Sequence, residues 1–485
     1  MLWKMLLEAA ERAPGGVIFS EGQTELRLEQ LVGRASALAG RLAAEGAGPG
    51  DNIGLLVRGG CRTAASIYGV LAAGATAVPL NPASKPGEVA RALGPCRPKL
   101  ALCEPDLAPL VEGLVPRVLV PQDALTGNDP GAAWKGRGQD GARPAFILFS
   151  TGSTGRPKRV VRTHAMMSAE ADQYQAGVGL TREDRILGVA PLFHSYGICC
   201  VMLSCVRSGA SARLFGEFQP DVVLAEATRL RATVLAGSPF HYSIMAQMRP
   251  RAGTDLSSIR WTVSCGAPAP AQVLERVRER FGLCVRQLYG ASEVGSVSLN
   301  VEKDAVPAAM SVGTPLPGVR VRIVRDDGSE AAPGESGEVA VASPAGSARY
   351  EDLPEMSARA FRDGWFHSGD LGHLDINGLL YITGRVKLLI NAGGNKVDPL
   401  EVEQVLEEHP AVREAAVVGM PAAHSLEVVK AVVVLKEPAL AEELRSHCAE
   451  RLSGYKVPRI VEFRDQLPRS PTGKLLRKDL LGDEP

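Results

Sequence analysis

The chain has 485 residues, 45% of them hydrophobic and 22% charged, with 54 basic side chains against 54 acidic ones. That length exceeds one ordinary core and suits two or three domains of a globular enzyme. The even charge balance argues against nucleic acid or an anionic membrane as the main partner, so any anion site must be local. The opening stretch "MLWKMLLEAAERAPGG" reads as an amphipathic surface helix and not as a signal peptide. Apolar residues recur at helical spacing from Leu26 to Ala44, where "GAGPGD" ends the helix. A strand ("NIGLLV"), a helix ("TAASIYGVLAAGA"), a strand ("TAVPLN"), a helix from Glu88 to Leu93 and a strand ("KLALCE") follow. This alternation predicts a layered α/β scaffold with a parallel sheet.

A Gly-, Asp- and Pro-rich segment from Val120 to Arg143 reads as a surface linker, after which "AFILFS" returns to strand. A second strand–helix series runs from Arg185 to about Gly290, and short strands and turns from Val319 to Ile382 predict a β-rich subdomain. Beyond "GRVK", two helices, two long strands and a basic tail predict a separate α+β unit of roughly 100 residues. The expected division is residues 1–385 for a large N-terminal domain of α/β subdomains plus the β-rich subdomain, and 386–485 for a small mobile α+β C-terminal domain. Nine cysteines, spread from Cys61 to Cys448 without metal-like spacing, fit reduced thiols and a cytoplasmic protein. The longest apolar runs are too short to span a bilayer.

Four segments carry chemistry. In "ILFSTGSTGRPKRVVRTH" a strand enters a loop of hydroxyl residues and glycines closed by Lys158. Backbone N–H groups and hydroxyls of such a loop can wrap phosphate oxygens while a lysine adds a point charge. No Gly-Lys-Ser/Thr ends it, so it is not a P-loop of the usual nucleotide-binding kind. The other three are "QLYGASEVG" from Gln287, "GWFHSGDLGHLDINGLLYITGRVK" from Gly364, and "LPRSPTGKLLRKDL" from Leu467.

Together these blocks, in this order, resemble the adenylate-forming superfamily: acyl- and aryl-CoA synthetases, luciferase and peptide-synthetase adenylation domains. The resemblance covers about Glu21 to Leu481 and is closest to acyl/aryl-CoA ligases. It implies ATP, Mg²⁺ and coenzyme A as co-substrates and cofactors of a ligase that converts a carboxylic acid to acyl-AMP and then to a thioester. An amine or a carrier-protein pantetheine is the alternative acceptor.

By motif match, Ser150, Thr151, Gly152, Ser153, Thr154, Gly155 and Lys158 would bind phosphates, with Arg159 standing where the family usually has Gly. "SCGAPAP" would supply Gly266, Ala267 and Pro268 to adenine, Tyr289 and Gly290 would pack on the base, Ser292 would bond the α-phosphate and Glu293 would hold the metal. Asp370 and Arg385 would take the ribose hydroxyls, as a carboxylate does in dinucleotide folds. Lys474 would be the catalytic lysine of adenylation and Lys387 the hinge about which the C-terminal unit rotates. Gly393 and Gly394 would line a thiol tunnel, with Lys456 and Arg459 keeping positive charge near the coenzyme A face. Glu427 lacks the Gly that usually precedes it. "PLFHSYG" places His194 as a gate or carboxylate-orienting group, where amino-acid-activating relatives differ. Ser238, Pro239, Phe240, Gly266, Gly290 and Val294 are the candidate acid-pocket residues; being small or apolar, they suit an aromatic or short-to-medium aliphatic acid.

Overall fold

The structure is a computed structural model that describes residues 1–121, 134, 136, 140–150, 158–301, 310–385, 388, 390–392, 395–422, 426–452, 454–470 and 475–481. The chain falls into two compact units, residues 1–322 with 340–367 and 376–380, and residues 323–339 with 368–375 and 381–485. The class is α/β with several sheets, as the alternation of elements predicts.

Two large sheets organise the first unit. One has nine strands, ordered Thr314–Pro315, Gly295–Leu299, Val285–Ala291, Trp261–Cys265, Val234–Gly237, Arg185–Gly188, Ser211–Leu214, Val17–Glu21 and Thr24–Arg27. Its six interior strands are parallel, and antiparallel partners cap both ends. The other has six strands, ordered Val118–Leu119, Leu100–Cys103, Asn52–Leu56, Thr76–Pro79, Pro144–Ser150 and Lys158–Thr163, of which the last alone runs antiparallel. Continuous burial along Val234–Gly237, Thr76–Pro79 and Leu100–Cys103 is what parallel strands covered on both faces require. The hydrophobic runs of the sequence follow from it.

The N-terminal helix Leu2–Arg12 is more than a surface element, because Leu2, Trp3, Met5, Leu6 and Ala9 are buried. Within the stretch expected to be a linker, Trp134 Nε1 donates to Ala72 O at 2.9 Å, while Trp3 Nε1 donates to Trp134 O at 2.9 Å, tying that one residue to two helices. All nine cysteines are free thiols. No described helix is long and apolar enough to cross a membrane.

In the second unit, Val412–Ala422 and Leu426–Leu435 pair antiparallel, and Ile460–Phe463 adds parallel to the latter. Helices Pro399–Glu407 and Ala441–Ala449 contribute Val402, Leu406, Leu444 and Cys448 to its core. Arg477 grips Glu403 with both amino groups and donates to Val417 O at 2.6 Å; Arg469 pairs with Glu414 at 2.5 Å. Between those two arginines the backbone comes together again, Leu476 N donating to Pro468 O at 2.9 Å. Lys456, expected to offer its charge to coenzyme A, has its ammonium 2.7 Å from both oxygens of Glu401.

His164 opens the helix His164–Val178 and is fully buried, with neither ring nitrogen partnered among the described residues. Burial pushes its pKa down to about 4. A histidine whose folded pKa lies below its unfolded value near 6.5 favours folding while neutral. Its contribution is complete above about pH 6.5 and is lost as pH falls towards 4. Between pH 7.5 and pH 5 this group should remove on the order of 1–2 kcal/mol of stability. Thermal melts at the two pH values should therefore show a smaller loss in His164→Leu than in the parent chain; equal losses would exclude His164 as a source.

Candidate active site

The residues expected to bind adenine, the α-phosphate, metal and acid sit on one edge of the nine-stranded sheet because of its register. Ala236 lies opposite Gly188, Ser264 opposite Gly237, and Cys265 opposite Leu288, all in parallel pairs. The four strands therefore run to one edge, where the segments after three of them carry His194, Ser238–Phe240 and Gly266–Pro268, and the end of Val285–Ala291 with the turn after it carries Tyr289–Val294. The carboxyl edge of parallel strands is where open α/β sheets bind ligands. Gly266, Ala267 and Pro268 are exposed there, while Tyr289, Gly290 and Ser292 are half-buried. Gly290 faces the returning strand so closely that a Cβ would lie 2.6 Å from Gly295 O.

Glu293 is buried in this edge, which demands partners for its carboxylate. Tyr350 Oη–H donates to Glu293 Oε1 at 2.8 Å, while the backbone carbonyl of Glu293 accepts from Ser347 N–H at 2.7 Å. Lys158 Nζ in turn lies 3.4 Å from Tyr350 Oη and 4.6 Å from the centre of its ring. One phenol thus links the lysine that closes the candidate phosphate loop to the carboxylate expected to hold metal. Sequence reading missed Tyr350, since "SARYEDLP" carries neither period nor motif and only folding brings it to Glu293. Arg159 donates to Pro95 O at 2.6 Å and pairs with Asp352.

Ser150 ends the strand Pro144–Ser150 opposite Lys158, and its buried Oγ has no partner among the described residues. Thr151, Gly152, Ser153, Thr154 and Gly155 lie outside the described residues, as do Lys387, Gly393, Gly394 and Lys474. Val294 is buried, Ser238 and Pro239 are half-buried and Phe240 is exposed. His194 is exposed, with its Nδ1 3.4 Å from Tyr196 N. A second histidine, His241, was not foreseen. Its Nδ1 accepts from Ser238 N at 2.9 Å and lies 2.9 Å from Ser238 Oγ, between the Phe218 and Phe240 rings. Burial pushes its pKa down to about 4, so the ring is neutral at pH 7 and carries its proton on Nε2. The signal was a Ser followed three residues later by a polar side chain, the spacing of a capping box.

In the second unit Asp370 is buried, and Arg385 Nε donates to its Oδ1. Asp370 N–H donates to Ser368 Oγ at 3.0 Å, and Ser368 Oγ–H donates to Val339 O at 2.7 Å. The expected ribose pair is thus brought together by the sheet that holds Trp365–Leu374 and Leu380–Arg385.

Two family models match the chain: the AMP-binding enzyme over residues 6–350 and the AMP-binding enzyme C-terminal domain over residues 401–474. A feruloyl-CoA synthase of Amycolatopsis sp. is 33% identical over 97% of this chain and 96% of its own length. ATP-bound MatB from Rhodopseudomonas palustris superposes with a TM-score of 0.90 at 27% identity, covering 99% of this chain and 97% of that one. The amide bond synthetase McbA from Marinactinospora thermotolerans superposes with a TM-score of 0.88 at 30% identity, covering 99% of both chains.

Tyr350→Phe keeps the ring and its edge contact with Phe361 but removes the donor to a buried carboxylate. Leaving that oxygen unsatisfied should cost about 1–3 kcal/mol at this site, a fall of roughly tenfold or more in ATP–pyrophosphate exchange. An unchanged exchange rate would show that the phenol does not matter to the chemistry.

Proposed function

The chain belongs to the AMP-binding enzyme family, and on that premise we propose that it uses ATP to activate a carboxylic acid as acyl-AMP, releasing pyrophosphate, and passes the acyl group to the thiol of coenzyme A. The observation that carries this reading is the Lys158–Tyr350–Glu293 array beside the carboxyl ends of parallel strands. It joins a cation and a carboxylate through one phenol, the pairing that would serve a magnesium-bound triphosphate.

Adenylation is an in-line displacement at the α-phosphorus by an oxygen nucleophile that needs no activation, so positioning and charge stabilisation dominate. Lys158 would bind phosphate oxygens while its approach to Tyr350 restrains the long side chain. Mg²⁺ fits the donor set: one hard, buried carboxylate can hold it together with the nucleotide's own phosphates. When bound there by Glu293, the ion would neutralise phosphate charge. Ser292 would bond the α-phosphate, Tyr289 would pack on adenine beside the Gly266–Pro268 edge, and Asp370 with Arg385 would hold the ribose. Lys474 would stabilise the charge that shifts between carboxylate and phosphate. Rotation at Lys387 would then exchange this arrangement for one in which the thiol enters past Gly393 and Gly394.

The acid is of the aromatic or short-to-medium aliphatic class. Support comes from the small or apolar candidate pocket residues Ser238, Pro239, Gly266, Gly290 and Val294, and from the likeness to a synthase of feruloyl-CoA. His194, exposed at the same strand edge, would orient the carboxylate or gate its entry.

A second reading, transfer of the acyl-AMP to an amine, is favoured by two observations. One is the full-length likeness to an amide bond synthetase. The other is that Lys456 spends its charge on Glu401. Mass spectrometry of products from enzyme, ATP, a panel of aryl and aliphatic acids, coenzyme A and a competing amine decides between them. Acyl-CoA as the main product supports the thiol reading. Amide as the main product, with thioester at background, replaces it.

Lys474→Ala should abolish most acyl-AMP formation, a loss of roughly 3–4 kcal/mol of transition-state stabilisation, yet spare thioester formation from supplied acyl-AMP. Lys387→Pro should show the opposite pattern, because proline fixes φ where a hinge must change it. Equal losses in both half-reactions would remove the assigned roles.

A further inference from the structure

Two charged side chains beside the site have no part in the chemistry above and are nonetheless withdrawn from water. Arg162 lies on the buried face of the strand Lys158–Thr163, and Glu170 lies on the buried face of the helix His164–Val178. Their side chains are 0% and 3% exposed, and Arg162 Nη2 donates to Glu170 Oε2 at 2.9 Å. Such a pair rarely adds net stability, because desolvating both ions offsets their attraction, and well-packed apolar residues often serve as well. What the pair holds is more telling.

Arg162 Nη1 donates to the carbonyl of Ser292 at 2.8 Å. Glu170 Oε1 accepts from Ser296 N and from Ser296 Oγ, each at 3.1 Å. Its Oε2 also accepts from the Cys199 thiol at 3.0 Å. Four donors thus fill the acceptor capacity of the carboxylate. The guanidinium grips the turn at residue 292 and the carboxylate grips it at residue 296, with Glu293 between them. The turn is also closed against the pair: Gly295 has φ +75°, and a Cβ there would lie 2.8 Å from the Glu170 carboxyl carbon.

We propose that Arg162 and Glu170 form a positioning pair that fixes the Ser292–Ser296 turn and thereby aims the Glu293 carboxylate at the metal, an inference that rests on Glu293 being the metal-holding residue. The planar fork of arginine is essential, since it must meet a carboxylate and a carbonyl at once in fixed directions. A lysine keeps the charge and loses the fork. Arg162→Lys is therefore the decisive variant. The double variant Arg162→Met/Glu170→Met, which removes the pair at similar volume, is its control.

The measurements are calorimetric binding of ATP with and without magnesium chloride, the magnesium dependence of ATP–pyrophosphate exchange, and the melting temperature. Arg162→Lys should melt within a few degrees of the parent and bind ATP alone as the parent does. The gain in affinity that magnesium brings should fall roughly tenfold or more, as expected when an outer partner of a metal ligand is lost. The magnesium concentration for half-maximal exchange should rise by a similar factor. An Arg162→Lys variant that melts normally and keeps the parent's magnesium response overturns the proposal. If Arg162→Lys does not fold, the double variant is judged by the same two outcomes, and failure of both to fold makes the pair purely structural. A parent chain that binds ATP more tightly with magnesium but exchanges pyrophosphate with no acid would overturn the proposed function and leave calorimetry to judge the pair. A parent with no magnesium response would overturn the pair's role.

Discussion

Parallel strands paired residue for residue cannot end at independent heights, and the candidate site depends on that constraint. Val234–Gly237, Trp261–Cys265 and Val285–Ala291 leave the sheet at one edge beside Arg185–Gly188. Val234–Gly237 is buried throughout and Trp261–Cys265 at its three central residues, so the register there is held by packing as well as by hydrogen bonds. The loops that follow need no stability of their own to stay in place. This frees them to carry glycines, hydroxyls and small residues, which bind ligands well and pack cores badly.

Onto that edge the fold brings charges that water would otherwise solvate. Glu293, Arg162 and Glu170 are all buried, and each is bonded to groups from distant parts of the chain: Tyr350, the Ser292 carbonyl, Ser296 and Cys199. A buried network of this kind tolerates few alternative arrangements, because leaving any member unpaired costs more than the bond itself contributes. Rigidity at the carboxylate is therefore a consequence of desolvation. The Asp370–Arg385 pair in the second unit follows the same rule, with Asp370 buried under Arg385 and the adjoining Ser368 hydroxyl tied to the backbone.

Most elements of the first unit, and the two helices and two long strands of the second, were legible from apolar runs and their spacing, whereas Ile460–Phe463 was read as part of a basic tail. Local pattern also contained half of the Arg162–Glu170 pair. The alternation Val160, Arg162 marks the buried side of a strand, and His164, Met167, Ala171 and Tyr174 mark a helix face that Glu170 shares. Nothing local says that those two faces meet. Trp134 was read as linker because its neighbours are Gly-, Asp- and Pro-rich, although an indole in such company is costly to leave in water. Lys456 was read as available charge because sequence cannot show that Glu401, 55 positions away, lies within 2.7 Å.

By itself the sequence determined the class of the fold, the order of its elements and the family, because these depend on periodicity and on short motifs whose residues are neighbours in the chain. Tertiary structure alone decided which partners complete the site. Tyr350 reaches Glu293 across 57 residues and Ser292 reaches Arg162 across 130. The physical reason is that hydrogen-bond satisfaction of buried groups is set by proximity after collapse, and sequence separation carries no information about it.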